Sequence, residues 1–397
     1  MVDIVQSNET KLLIRKIGYS VGLESTLARY KQLIDLYVAE KQLSDPSWRN
    51  LVTTGFRREL PARKHFENLF SVLGMFTVDN GRPVPQTILD VGALLKNYYS
   101  NDPLAFDRAI RAVLLYSITL ADGELFGLLL STSFDKSKYE EGLAEFRRSK
   151  LRIFYESYKN QFDREKLHQI IDFQEVAAGS DGKGHQGALS GPFAQARRVT
   201  KSKDIQDFSV SLSADWFKKV PARREAWAQD LGLFDDGTHT EFGRRYLEAL
   251  RSFLPAEDRS SAIVLMPLDT EMESRHVTWA LDGKFVAPQS MLLQAISATY
   301  LQAGITSTST SDSRSLEIEK LARWALDNYQ RADTRFQMLR RELPYVMFSL
   351  FALGICVASD IQMTDLKSDL EGLAREKRNI LLRPSRVSVY GISFSGH

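Results

Sequence analysis

Two short runs of side chains have the chemistry needed to bind the edges of DNA bases, for which arginine, asparagine and glutamine are suited. The first run is Arg63, Lys64 and Asn68, and the second is Arg223, Arg224 and Gln229. Apolar residues at helical spacing accompany each run and would pack inward, so both predict an amphipathic helix with a polar outer side. Such a helix fits the major groove. The solvated face of an ordinary helix is the open alternative.

Three further groups of cations could hold phosphates through release of counterions. They are Arg147, Arg148, Lys150 and Arg152; Arg197 and Arg198; and Arg378, Arg383 and Arg386. The net charge of the chain is only +2, so any contact with nucleic acid must come from such local patches. Glutamates share the helix predicted over 136–159, and pairing with them would mute the first group. Solvated charge runs therefore stay open as an alternative for these groups.

One weaker pattern would support magnesium-dependent nuclease chemistry, in which two acidic groups hold the metal and a lysine assists the attacking water. Its residues are Asp269, Asp282 and Lys284. Asp282-Gly283 is also a typical hairpin-turn dipeptide and lies between two strand-like runs, which favours the turn. We therefore favour a non-catalytic protein.

Metal and cofactor sites are not expected. The six histidines show no helical i,i+4 pair, and one cysteine cannot build a thiolate zinc site. The glycine-rich stretch at 177–187 lacks the Lys-Ser or Lys-Thr of a phosphate-binding loop.

The elements that would position the first two runs are themselves repeated. Leu73-Gly74-Met75-Phe76 and Leu231-Gly232-Leu233-Phe234 each follow a predicted helix and precede a short polar turn. A threonine then opens a new helix in each copy, Thr87 in the first and Thr240 in the second. A helix, a glycine stop, a hairpin and a capped helix in this order predict a winged helix-turn-helix.

This repeated arrangement resembles the tandem winged-helix DNA-recognition region of type IIS restriction endonucleases. Similar modules occur in bacterial mobile-element and phage-defence proteins. The segment 88–93, the helix from Phe106 to Tyr116 and the turn at Asp122-Gly123 follow the order within that region, and the resemblance covers residues 50–255. It implies a mode of DNA contact through the two runs described above. The cleavage domain of such enzymes is not evident.

The predicted fold is mainly α with small β elements, built from tandem winged helix-turn-helix modules and a helical C-terminal region with helices at 289–303, 315–331, 345–358 and 364–377. We expect five segments: an N-terminal helical segment at 1–60, a winged-helix region at 61–176, a glycine-rich and basic linker at 177–203, a second winged-helix module at 204–256, and a small β element with a helical C-terminal domain at 257–397. The strand-like end at 387–394 is expected to pair with the sheet near 262–286 or to join a partner's sheet.

Composition limits the functional class. The chain has 397 residues, and its hydrophobic content of 43% is typical of a globular protein. Its single cysteine, Cys356, fits a reducing compartment. No signal peptide is apparent, and the apolar segment 346–358 is shorter than the roughly 20 residues needed to cross a bilayer. We therefore expect a cytoplasmic protein with no membrane contact.

The function predicted first is DNA binding, as a non-catalytic subunit of a bacterial defence or mobile-element system. Its partner would be DNA, and protein subunits are also plausible partners. A protein-interaction scaffold and a magnesium-dependent nuclease are the two alternatives.

Overall fold

The computed structural model describes residues 25–40, 45–53, 69–71, 73–79, 82–139, 214–252, 265–268, 276–279, 285–287, 289–301, 311–333, 342–363, 365–377, 379–384 and 390–395. The helices are α1 (Thr26–Glu40), α2 (Asp45–Thr53), α3 (Thr87–Tyr98), α4 (Pro103–Ser131), α5 (Ala214–Asp230), α6 (Glu241–Arg251), α7 (Gln289–Tyr300), α8 (Ser311–Asp333), α9 (Tyr345–Ala358) and α10 (Leu366–Glu376). The strands are β1 (Phe76–Asp79), β2 (Arg82–Pro85), β3 (Phe234–Asp235), β4 (Thr238–His239), β5 (Leu265–Leu268), β6 (His276–Trp279), β7 (Phe285–Ala287), β8 (Leu343–Pro344), β9 (Ile380–Pro384) and β10 (Tyr390–Phe394). The protein is thus mainly helical with small strands, as its sequence predicts.

The first repeated segment, here called the first unit, runs from residue 69 to the end of α3. Its leading helix ends at Gly74, which has φ +70°, and the N–H of Met75 donates to the carbonyl of Phe70 (2.9 Å). This is the hydrogen bond by which a left-handed glycine satisfies the last carbonyls of a helix. The antiparallel hairpin β1–β2 follows and leads directly into α3.

The second unit, from α5 to α6, has the same order of elements. Gly232 has φ +71°, and the N–H of Leu233 donates to the carbonyl of Ala228 (2.7 Å). Strands β3 and β4 pair around Asp236 and Gly237, whose φ values of +41° and +75° suit the tight turn that Asp-Gly favours in a two-residue hairpin. Thr240 caps α6, accepting from the N–H of Gly243 (3.1 Å).

The predicted cap of α3 is wrong. Gln86, and not Thr87, is the N-cap residue of this helix, and its side chain makes no capping hydrogen bond. Thr87 is the first helical residue, so its hydroxyl is one position too late for the capping role.

Helix α4 contains a sharp break where the sequence predicts a turn. Asp122 has φ −142° and ψ 18°, which are not helical values, and the two parts of the helix, Pro103–Gly123 and Leu125–Ser131, meet at 105°. Among the described residues no single helix is long and apolar enough to cross a bilayer, although these two parts pass that test together.

The helices predicted for the C-terminal region at 289–303, 315–331, 345–358 and 364–377 correspond to α7, α8, α9 and α10. Strands β5, β6 and β7 form an antiparallel sheet, so the hairpin predicted around Asp282-Gly283 does join two paired strands. The prediction for the terminal strand is wrong. β10 lies between β8 and β9 in a separate sheet, where both of its edges are paired within the chain.

The hydrophobic core is continuous across the described segments. Buried apolar side chains from α1 through β10 belong to one cluster, with α3, α4 and α9 at its centre. Gly354 of α9 lets that helix approach closely, because a Cβ there would lie 2.8 Å from the side chain of Leu95 and 3.3 Å from Ala109. The five-segment division of the chain stays a prediction.

Candidate nucleic-acid interface and the junction beneath it

Helix α5 is the element that should present the second run of predicted DNA contacts. Its arginines face inward instead: Arg223 is 2% exposed and Arg224 is 0% exposed. The guanidinium of Arg224 donates to both carboxylate oxygens of Asp122, from Nε to Oδ2 (2.7 Å) and from Nη2 to Oδ1 (2.9 Å). Asp122 is the residue at the break of α4, and the pair is wholly desolvated. Two parallel charge-assisted hydrogen bonds offset the cost of burying both charges.

Arg223 connects α5 to the start of α1. Its Nη2 donates to the hydroxyl of Thr26 (2.6 Å), which also accepts from the indole N–H of Trp227 (3.0 Å). The guanidinium carbon of Arg224 lies 5.2 Å from the centre of the Trp227 ring, within range of a cation–π interaction. We call Thr26, Asp122, Arg223, Arg224 and Trp227 the polar junction.

A second set of charges joins the same three helices nearer the surface. Asp230 at the end of α5 accepts from the N–H of Leu27 (3.2 Å), so its carboxylate lies at the positive end of α1. Asp107 of α4 binds both Lys31 of α1 and Arg111 of its own helix, and Arg111 also donates to the carbonyl of Asp230. Burial opposes ionisation of Asp107, but these two cations outweigh it, so the pKa of Asp107 lies below its usual value.

The hairpin of the second unit contacts the end of α4 and the residues just after it, and its tip is acidic. Nε2 of His239 donates to the carbonyl of Leu130 at the end of α4 (2.6 Å), and the Phe234 ring lies 5.0 Å from that of Phe134. The tip carries Asp235 and Asp236, both exposed. A phosphate backbone would meet two carboxylates at this tip, which disfavours its approach.

The prediction that Arg223 and Arg224 contact nucleic acid is therefore wrong. Both side chains are buried; Nη2 of Arg223 donates to Thr26, and Nε and Nη2 of Arg224 donate to Asp122. Gln229 alone of the second run is exposed, and its contact with DNA stays a prediction.

Most of the other predicted site residues lie outside the described residues. These are Arg63, Lys64, Asn68, Arg147, Arg148, Lys150, Arg152, Arg197, Arg198, Arg378, Arg386, Asp269, Asp282 and Lys284. Arg383 lies in β9, in register with Gly391 of β10. The nucleic-acid contacts of these cations and the nuclease chemistry of the acidic pair stay predictions.

The lone cysteine is partly buried against the hydrophobic core. Cys356 lies in α9, and burial raises its pKa to about 12. It therefore stays protonated near neutral pH, and a protonated thiol is a poor nucleophile and metal ligand.

No sequence pattern indicates the polar junction. The sequence around Asp122 predicts only a turn, and nothing in the sequence distinguishes Thr26. Asp122 and Arg224 are 102 positions apart, and Arg223 and Thr26 are 197 apart, so no local pattern indicates their pairing. The available clue was Trp227, because a large apolar residue three positions after Arg224 places the arginine near the buried side of the helix.

Comparison with known proteins yields no relative. No protein-family model matches the chain, and no curated protein and no solved structure matches it. The resemblance to type IIS restriction endonucleases stays a prediction.

Proposed function

We propose that this chain is a non-catalytic binding subunit that acts as a protein-interaction scaffold, with its two units serving as winged-helix-like packing modules. One observation carries the proposal: the helix that precedes the hairpin of the second unit turns its arginines into the interior. A recognition helix of a DNA reader presents such side chains outward.

The charges on the outer side of the second unit also favour a protein partner over DNA. The described outer side chains of α5 include exposed Gln229 and half-buried Glu225, and the hairpin tip adds exposed Asp235 and Asp236. On α6, Arg245 is paired with Glu241 of the same helix. Arg244 of α6 is an exposed cation, but among the side chains whose exposure is described the second unit mixes both signs of charge and shows no cluster of cations.

DNA binding, as a non-catalytic subunit of a bacterial defence or mobile-element system, is the second candidate. The density of cations at 147–152 favours it, since four of those six residues are Arg or Lys. Contact would then come from these residues and the other cationic groups, with the second unit as a structural support.

The experiment that separates the two candidates is a DNA-binding titration of the purified full chain, with duplex and single-stranded DNA at about 50 mM and about 200 mM salt. The scaffold proposal predicts no salt-dependent binding, and a polypeptide that stays bound to the chain after nuclease treatment. The DNA candidate predicts an affinity that falls by about 10³-fold or more between the two salt concentrations if six or more phosphates are contacted.

Two variants assign any binding that is observed. R147Q/R148Q/K150Q/R152Q would flatten the salt dependence if the 147–152 group holds phosphates. R244Q is the matched control, because Arg244 is an exposed cation on α6 of the second unit. Salt-dependent binding that R244Q weakens and the quadruple variant leaves intact would contradict both candidates, because the second unit would then be the DNA contact.

A further inference from the structure

The buried pair of Arg224 and Asp122 distinguishes the two units. Aligned on their glycine stops, Gly74 and Gly232, the units share the leucine before the glycine and the phenylalanine two residues after it. Arg224 lies eight residues before Gly232, and the residue eight before Gly74 is Phe66. In this alignment the sequence leading into the first unit has an apolar residue, which lies outside the described residues, at the position that corresponds to Arg224.

The contact between Asp122 and Arg224 is specific for a guanidinium group. Its carboxylate is buried at the break of α4, with its side chain 1% exposed, and both oxygens are bound by Arg224 at 2.7 Å and 2.9 Å. A phenylalanine at this point would leave the carboxylate buried without that donor, which is strongly unfavourable. A lysine would supply a point charge and could not reproduce the planar, two-pronged contact.

We propose that the Arg224–Asp122 pair is a registry device, which assigns the second unit, and not the first, to the break of α4. Both units end their leading helix with a buried leucine and begin their hairpin with a buried phenylalanine, namely Leu73 and Phe76 or Leu231 and Phe234. Apolar matching alone therefore discriminates weakly between them. A single buried charge pair penalises the incorrect packing, which is the best attested use of buried polar groups in proteins.

Exchange between chains is the incorrect packing that is simplest to detect. The first unit is packed on α4 of its own chain, where the hydroxyl of Ser117 donates to the carbonyl of Leu73 (2.5 Å). If the first unit of another copy took the place of the second unit at the break of α4, the two chains would be held together as a dimer.

The test compares three full-length proteins by urea unfolding, by light scattering after size exclusion, and by the NMR signals of the tryptophan indoles. D122N removes one charge and should lower the unfolding midpoint. D122L/R224M replaces the pair by apolar side chains and should recover much of that midpoint. We expect the double variant to show a concentration-dependent dimer, or a second set of indole signals, that the wild type lacks.

A double variant that recovers the midpoint and shows one species with one set of signals would overturn the inference, because the pair would then contribute stability alone. R224K keeps the proposal testable if the double variant fails to fold. R224K retains the positive charge but loses the second of the two parallel hydrogen bonds to Asp122, so we expect a minor set of NMR signals for the Trp227 indole. A single native signal in R224K at an unchanged midpoint would also overturn the inference.

Discussion

The two units have the same backbone arrangement but differ in how deeply the helix after the hairpin is buried. In both, a glycine with φ near +70° ends a helix, and the carbonyl of the residue after that glycine accepts a backbone N–H from the end of the hairpin: Gln86 to Met75 (2.9 Å) and Thr240 to Leu233 (3.1 Å). The last leucine of each leading helix also makes the same kind of hydrogen bond. Its carbonyl accepts a hydroxyl from a neighbouring helix, from Ser117 to Leu73 (2.5 Å) and from Tyr300 to Leu231 (3.0 Å).

The helix after the hairpin shows the difference. In the first unit α3 is surrounded by other helices, and even the carboxylate of Asp90 is buried, where Tyr37 donates to it (2.8 Å). In the second unit α6 keeps one exposed side, which carries Glu241, Arg244 and Glu248. Local sequence therefore determines the backbone path of a unit, and tertiary packing determines which of its sides meets solvent.

The largest effect on this comparison is expected from Gly243→Ala. A Cβ at Gly243 would lie 1.9 Å from the carbonyl oxygen of Leu233, so α6 would have to move away from its own hairpin. We expect a loss of about 1–3 kcal/mol in the free energy of unfolding, typical of a forced backbone shift. Urea unfolding measures this loss.

Gly372→Ala is the matched control. Gly372 is also inside a helix, α10, and a Cβ there would meet nothing within 4 Å. Alanine should stabilise this helix by up to about 1 kcal/mol because it has the higher helix propensity. Equal effects of the two substitutions would mean that α6 and its hairpin are not in close contact.

A smaller effect separates the caps of the two units. Thr240→Ala removes the acceptor for the N–H of Gly243 and the donor to the carbonyl of Gly232 (2.6 Å). We expect it to cost about 1 kcal/mol in the free energy of unfolding. Thr87→Ala removes no capping bond, so its effect should stay within about 0.5 kcal/mol. If both substitutions cost the same in urea unfolding, the proposed difference between the caps is wrong.

Local rules predicted much of the fold. The Leu-Gly stops, the Asp-Gly hairpin of the second unit, the break at Asp122-Gly123 and the four C-terminal helices each follow from a few neighbouring residues, and the structure has all of them. The cap of α3 was misplaced by one residue because threonine is the commoner cap, while Gln86 takes the position without a side-chain bond.

The candidate site could not be predicted in the same way. An amphipathic helix with two arginines fits both a DNA groove and a buried ion pair, and only the distant Asp122 decides between them. Strand β10 likewise pairs with β8 across nearly 50 residues of sequence, Gly391 with Pro344 and Ile392 with Leu343, and neither of the two pairings expected for this strand is the one it makes. Contacts at long separation are thus the part that the patterns leave open.

The smallest expected effect is on the pH dependence of stability, and it tests whether the contacts of Asp107 hold the second unit in place. The cations Lys31 and Arg111 keep the pKa of Asp107 below its unfolded value of about 3.9. Because the folded pKa is the lower one, this carboxylate stabilises the fold at pH values above about 4, and its contribution is lost as the pH falls through the folded pKa. Asp107→Asn should therefore lower stability at neutral pH and make the fall in stability between about pH 5 and pH 3 shallower.

Urea unfolding at several pH values measures this slope, with Asp235→Asn, a change of an exposed carboxylate at the hairpin tip, as the control. Arg111 joins Asp107 to the last carbonyl of α5, so loosening this set should also weaken the attachment of the second unit. Hydrogen exchange should then rise in α5 more than in α3, because the hydroxyl of Ser117 and the apolar surroundings hold the first unit independently of Asp107. Equal increases in both helices would show that the two units are held by the same contacts, and the contrast between them would fail.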